Sequence, residues 1–145
     1  MGNKKIHGVD AFEAYINREL SWLAFARRVL ELAEDNTIPL LERVKFAGIM
    51  GMIFDEFVMK RMGGLHKKIQ KKPSHVGYDG LTPCEELDLC WQELHYQIKL
   101  LNNLIEDELR PALAADNIYF KNYESLSSSD KKYLQCHFQD MVLPI

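Results

Sequence analysis

Cysteines, histidines, carboxylates and lysines are the residues of this 145-residue chain that chemistry would draw on, and their spacing limits what they can do. Five residues separate Cys84 from Cys90, a gap that common structural zinc sites do not use. A zinc centre drawn from Cys84, Cys90, His66, His75 and His95 is therefore not expected. Three cysteines without a CxxC pair fit reduced thiols in the cytosol. Asp55 and Glu56 are neighbours, so on a helix they point about 100° apart and cannot face one substrate as an acid/base pair. Glu56 and Lys60 stand i,i+4 in the favourable order. Asp55 follows an apolar turn and reads as a capping or salt-bridging carboxylate. Neither GxxxxGK with Ser or Thr nor GxGxxG occurs, so no phosphate-cradling loop is expected. No Ser/His/Asp or Cys/His set has supporting local sequence. By themselves these residues name no catalytic group and no metal ligand.

One charged run stands out. Residues 66–72 read HKKIQKK inside a chain of 18 basic and 21 acidic residues with a net charge of −3. Two readings stay open: a solvated helix end, or a contact for a polyanion such as polyphosphate, nucleotide phosphates or RNA. Tyr78 is the only aromatic nearby, thin provision for stacking single-stranded bases. The global charge gives no case for nucleic acid or an anionic membrane.

Helices must position these groups. With 47% hydrophobic and 27% charged residues, the composition is that of a soluble globular protein, and the length suggests about one domain. Trp22, Phe25, Val29 and Ala33 step by 3, 4 and 4, with Leu23, Ala26 and Leu30 on the adjoining stripe. That spacing predicts a helix over about 20–33, with Asn17 and Ser21 as alternative N-caps. Asp35 to Pro39 breaks it, and Pro39 suits the first turn of a second helix running to about Met62. The absence of charge between Phe46 and Phe54 predicts burial all round, with Gly48 and Gly51 allowing close helix approach or a bend. Gly63-Gly64 marks a break or kink, with a short helical continuation to about Gln70. Residues 73–80 form a loop.

Thr82-Pro83-Cys84-Glu85 is a capping box with proline at the first helical position. The helix it opens carries Leu87, Trp91, Leu94, Ile98, Leu101 and Ile105 as a packing seam and ends near Arg110-Pro111, with a brief resumption through Ala115. Ile118-Tyr119-Phe120 reads as the start of a strand. Ser127 to Asp130 starts another helix with Tyr133, Leu134, His137, Phe138 and Met141 on its apolar face. The expected core takes in Trp22, Phe25, Phe57, Trp91 and the leucines. The expected architecture is an all-α antiparallel helical bundle of three long helices plus short helices. It occupies residues 1–115, and residues 116–145 form a C-terminal extension beginning a following, truncated domain. The chain start lacks the apolar core of a signal peptide and a myristoylation pattern, and no stretch is long and apolar enough to span a bilayer.

The string NRELSWLAFARRVLELAED from Asn17, the block PLLERVKFAGI from Pro39 and FDEFVMKRMGGL from Phe54 together resemble the N-terminal region of bacterial polyphosphate kinases. The register holds from Tyr15 to Leu65, and RPAL from Arg110 and the closing helix into Leu143-Pro144 again look like that family. The resemblance implies a cytoplasmic transferase, compatible with peripheral membrane attachment and homo-oligomeric at full length. It would pass the terminal phosphoryl group of ATP reversibly to polyphosphate through a phosphohistidine, with Mg²⁺. None of His7, His66, His75, His95 and His137 matches the phosphorylated position, so that residue and the metal ligands are expected outside this chain. The fragment alone is then expected to be inactive, with no catalytic and no metal-binding residue of its own. Its partners would be ATP, polyphosphate and the rest of the same chain, with no nucleic acid.

The resemblance further implies that the helical domain walls the nucleotide site. The family's nucleotide-contacting Asn, two residues before the DEF aspartate, is Ile53 here, preceded by Gly51 and Met52. Asn both donates and accepts; Ile only packs. Asp55 and Arg61 would orient that helix or join neighbouring domains. The alternative is a non-catalytic helical interaction module docking through HKKIQKK, or a divergent paralogue that has lost ATP use.

Overall fold

The computed structural model describes residues 11–144. Residues 1–10, with the N-terminal segment and His7 discussed above, and Ile145 lie outside the described residues. One compact unit ends at Leu109 and a second begins at Arg110. The described residues are helical, with turns and loops between the helices and no strand.

In the first unit, α1 spans Arg18–Glu34, α2 Leu40–Glu56, α3 Gly63–Lys71 and α4 Pro83–Asn103. A π-helical segment, Phe57–Met62, joins α2 to α3, and another, Leu104–Leu109, follows α4. Asn17 caps α1, accepting from the Leu20 amide at 2.8 Å, which decides between the two candidate caps. Pro39 is the residue before α2, with its carbonyl taking the Glu42 and Arg43 amides. The Thr82–Glu85 capping box forms in full.

The helices alternate in direction. The Asn17 end of α1 meets Glu86 near the start of α4, and Gln97 donates to the Leu23 carbonyl at 2.9 Å. Arg43, early in α2, donates to the Ala33 carbonyl at 2.7 Å and to Glu108 at 2.9 Å. Thus α1 and α4 run the same way and α2 runs against both. This is the expected antiparallel bundle.

The core is closed by Leu23, Ala26 and Leu30 of α1, Met50 and Phe54 of α2, Phe57, and Leu87, Cys90, Leu94 and Leu101 of α4. Burying a side chain such as Leu94 or Phe57 contributes about 1.5–3 kcal/mol. Several expectations need correction. In α1 the inner stripe is Leu23, Ala26 and Leu30; Trp22 is half-buried and stacks on Phe57 at 5.2 Å, while Phe25 is exposed. In α4 the seam is Leu87, Cys90, Leu94, Gln97, Leu101 and Leu104, one position round from the expected stripe, and Trp91 sits at its rim. Residues 46–54 are not buried all round, because Ile49 and Met52 face outward. A Cβ at Gly48, Gly51, Gly63 or Gly64 would meet nothing, so these glycines serve no close approach, and the helical path runs through Gly63-Gly64 unbroken.

The second unit holds α5 (Arg110–Ala115) and α6 (Ser128–His137), with Ser127 capping α6 as expected. Ile118–Phe120 is exposed and makes no strand, having no partner to pair with. Among the described residues, no helix is long and apolar enough to cross a membrane.

Burial pushes the Cys90 thiol up to about 12, and the charges of Glu86 and Glu19 push the same way. Cys84 and Cys136 are exposed. Iodoacetamide in mildly alkaline buffer should modify Cys84 and Cys136 in the native protein and Cys90 only after unfolding, as read by mass spectrometry. Hydrogen bonds from the Thr82 hydroxyl and amide hold the Glu85 carboxyl below its ordinary 4.5. Its contribution is therefore present above that value and lost as pH falls through the lower folded one. Urea midpoints should place the wild type above Glu85→Gln at neutral pH, with the gap closing on acidification below about pH 4.5.

Candidate functional site

The NREL segment makes the most connected corner of the molecule. While the Asn17 Oδ1 caps α1, its Nδ2 donates to Asp79 at 2.6 Å and to Glu86 at 3.0 Å. One amide thus ties the start of α1 to the loop before α4 and to α4 itself. Beside it, Glu19 is buried and accepts from Arg18 Nε at 3.0 Å and from Arg61 Nη1 at 3.4 Å. The hydrogen bond and then the charge of Glu19 raise the Arg18 guanidinium above its already high range. Arg61 therefore anchors the π-helical segment to α1.

Two depressions flank this corner. One, of about 500 Å³, is bordered by Tyr15, Asn17, Arg18, Tyr78, Asp79 and Glu86, with Tyr15 and Tyr78 rings 5.6 Å apart. The other, of about 380 Å³, is bordered by Lys67, Lys68, Lys71, Lys72 and His75 over Gly64 and Pro83. Lys68 and His75 border both, so the two adjoin. The loop of residues 73–80 is held here by Asp79, which also accepts from the Leu81 amide at 3.2 Å.

Ile53 belongs to neither depression. It is half-buried and packs partly against the core, beside fully outward Met52 and the open surfaces of Gly48 and Gly51. This strip is apolar. Its side chains offer neither a hydrogen bond nor a cation. Asp55 is exposed, with no ion pair or hydrogen bond among the described residues. Among the described residues no three His, Cys, Asp or Glu side chains gather as a metal-ligand group. His95 Nδ1 lies 2.7 Å from the Trp91 carbonyl and His137 stacks on Tyr133, both far in sequence from the lysine run.

An all-helical domain with an apolar strip on α2 and two adjoining depressions is what the geometry defines. The chain belongs to the polyphosphate kinase N-terminal domain family, whose model matches residues 15–121. It is 40% identical over 132 residues to polyphosphate kinase 1 of Chlorobaculum tepidum, covering 90% of this chain and 19% of that protein. With the polyphosphate kinase of Mycobacterium ulcerans it shares 37% over 133 residues, 92% of this chain and 18% of the relative. With that of Thermosynechococcus vestitus it shares 37% over 137 residues, 94% and 19%. The chain thus spans under one fifth of the length of these curated relatives.

Reading the residues singly misses Glu19, Arg43 and Gln97. Each stands in register with a buried stripe: Glu19 with Leu23, Ala26 and Leu30; Arg43 with Ala47, Met50 and Phe54; Gln97 with Leu94 and Leu101. A polar residue in phase with a core stripe was the available signal.

Removing the Asn17 amide takes from Asp79 and Glu86 the donor they share, leaving Asp79 the Leu81 amide and Glu86 the more distant Lys68. Asn17→Ala should cost about 1–3 kcal/mol in urea unfolding, more than a cap alone. Asn17→Asp keeps the capping oxygen but adds a carboxylate beside two others. It should be markedly destabilised at neutral pH and should regain stability relative to wild type on mild acidification.

Proposed function

We propose that this chain is the N-terminal helical domain of a longer cytoplasmic enzyme that reversibly transfers the terminal phosphoryl group of ATP to polyphosphate, the phosphohistidine and Mg²⁺ ligands lying in later domains. Residues 116–145 then open the domain that follows. The observation that carries this reading is the family match over residues 15–121, joined by relatives named polyphosphate kinase at up to 40% identity. The apolar strip on α2 supports a role in packing on the base, with Ile53 at the position of the family's nucleotide-contacting Asn. Phosphoryl transfer depends mostly on positioning and charge stabilisation, so a helical wall acts by holding the base while other groups handle the phosphates.

The departure at Ile53 has a computable effect. An amide there would restore a hydrogen bond to the base worth about 0.5–1.5 kcal/mol, up to about tenfold in affinity. It would also set a polar group partly against the core, which favours a lower melting temperature. The test is ATP-dependent polyphosphate synthesis by the enzyme at its natural length, with Ile53→Asn alongside. The expected result is synthesis by the wild type and a severalfold lower KM for ATP in the variant, with its melting point reduced. Absence of polyphosphate from a folded wild-type protein would overturn the reading in favour of a paralogue with another substrate.

A further inference from the structure

We propose that the lysine face of α3 is a docking track for the linear phosphate polymer, separate from the nucleotide wall on α2. The identity of the polymer rests on the function proposed above; the electrostatic site rests on the structure. Lys67, Lys71 and Lys72 are exposed and reach no carboxylate among the described residues, while Lys68 alone approaches one, Glu86, at 3.7 Å. Lys67 and Lys71, and Lys68 and Lys72, are like-charged i,i+4 pairs, an arrangement that works against the helix. The helix dipole rewards cations in the last turn, which accounts for Lys68 and Lys71. Lys67 stands before that turn and gains nothing from it. The cluster therefore carries more positive charge than its one carboxylate and the helix terminus offset.

The shape suits a chain more than a single ion. From Lys67 to Lys71 the helix rises about 6 Å, and Lys72 follows at its C-cap. The stems of Lys67, Lys68, Lys71 and Lys72 line one groove of about 380 Å³ together with Gly64, where a Cβ would meet nothing. Lysines act as point charges without the bidentate geometry of arginine, so they hold a repeating anion without fixing its register. Stacking provision for bases is poor: Tyr78 is engaged with Tyr15, and both lie in the adjoining depression.

The test is fluorescence anisotropy with end-labelled inorganic polyphosphate of defined length, at several salt concentrations. It uses the full-length enzyme, its Lys67→Gln/Lys71→Gln/Lys72→Gln variant and the matching Lys→Arg variant. The Gln variant should bind about tenfold more weakly, with a log–log salt slope shallower by about 2, taking about 0.7 per contact as for single strands. The Arg variant should retain both. Unchanged affinity and slope in the Gln variant would overturn the proposal. So would a single-stranded RNA of equal charge binding as tightly and losing that binding in the same variant. Should the Gln variant not fold, lysine acetylation of the wild type decides: polyphosphate should protect Lys67, Lys71 and Lys72 relative to exposed Lys99 and Lys132, and equal labelling would overturn the track. ATP-driven synthesis by the same preparation is scored separately, so loss of the enzymatic reading and loss of the track give different results.

Discussion

The Asn17 carboxamide is the interaction on which the arrangement of the first unit most depends. A helix N-terminus leaves amides unsatisfied, and one side-chain oxygen answers that need here. The same group carries two N–H bonds to residues 62 and 69 positions away in the chain. Local capping and long-range assembly are thereby a single event. The loop before α4 cannot detach from α1 without losing these bonds, and Glu86 ties the first turn of α4 to the start of α1. Neighbouring Glu19 performs the comparable service for the π-helical segment through Arg61.

The opposite end of the bundle is closed by a different device. Arg43 is buried and covers the carbonyl end of α1, where a cation meets the negative pole of the helix. Its other contact, Glu108, brings in the segment that follows α4. Between these ends Gln97 is fully buried in the α1–α4 seam and donates to Leu23 and Glu93. A polar group at one seam position disfavours any sliding of the two helices, because a shifted register would leave the amide without its carbonyl. Apolar burial supplies the driving force and these three side chains select the alignment.

Local chemistry was the legible part of the sequence. The Thr82–Glu85 box and the Ser127 cap involve residues three apart, and both form as read. The choice between adjoining stripes was not legible: α1 presents a broad apolar arc, and only its neighbours determine that Leu23 and Leu30 go inside while Phe25 stays out. Gly63-Gly64 reads as a break on propensity, yet tertiary packing of Met62 and Leu65 carries the helix through. Ile118-Tyr119-Phe120 has strand propensity and no strand to join. The family resemblance pointed to Ile53, whose half-buried setting no periodicity revealed. The Asn17 corner and the pairing of Glu19 with Arg61 were hidden because their partners are remote in sequence.

The two π-helical segments explain where the apolar rhythm falters. Along α2 the buried positions advance by 3 or 4 through Met50, Phe54 and Phe57, then jump 5 to Met62 before resuming at Leu65. After α4 the step from Leu104 to Leu109 is again 5. A turn closed by i→i+5 bonds accommodates one residue more than an α-turn, and such bulges are commonly found at functional sites. In genetic terms, the stretch between Phe57 and Met62 is a joint where the chain can lose one codon and keep the reading frame of side chains on either side. Loss of a single codon there would close the wide turn to an α-turn and leave the lysines of α3 facing as they do, whereas the same loss at Gly64 would rotate those lysines about 100° around the helix axis. A length change at the wide turn and one inside a regular helix therefore differ sharply in what they do to the face α3 presents.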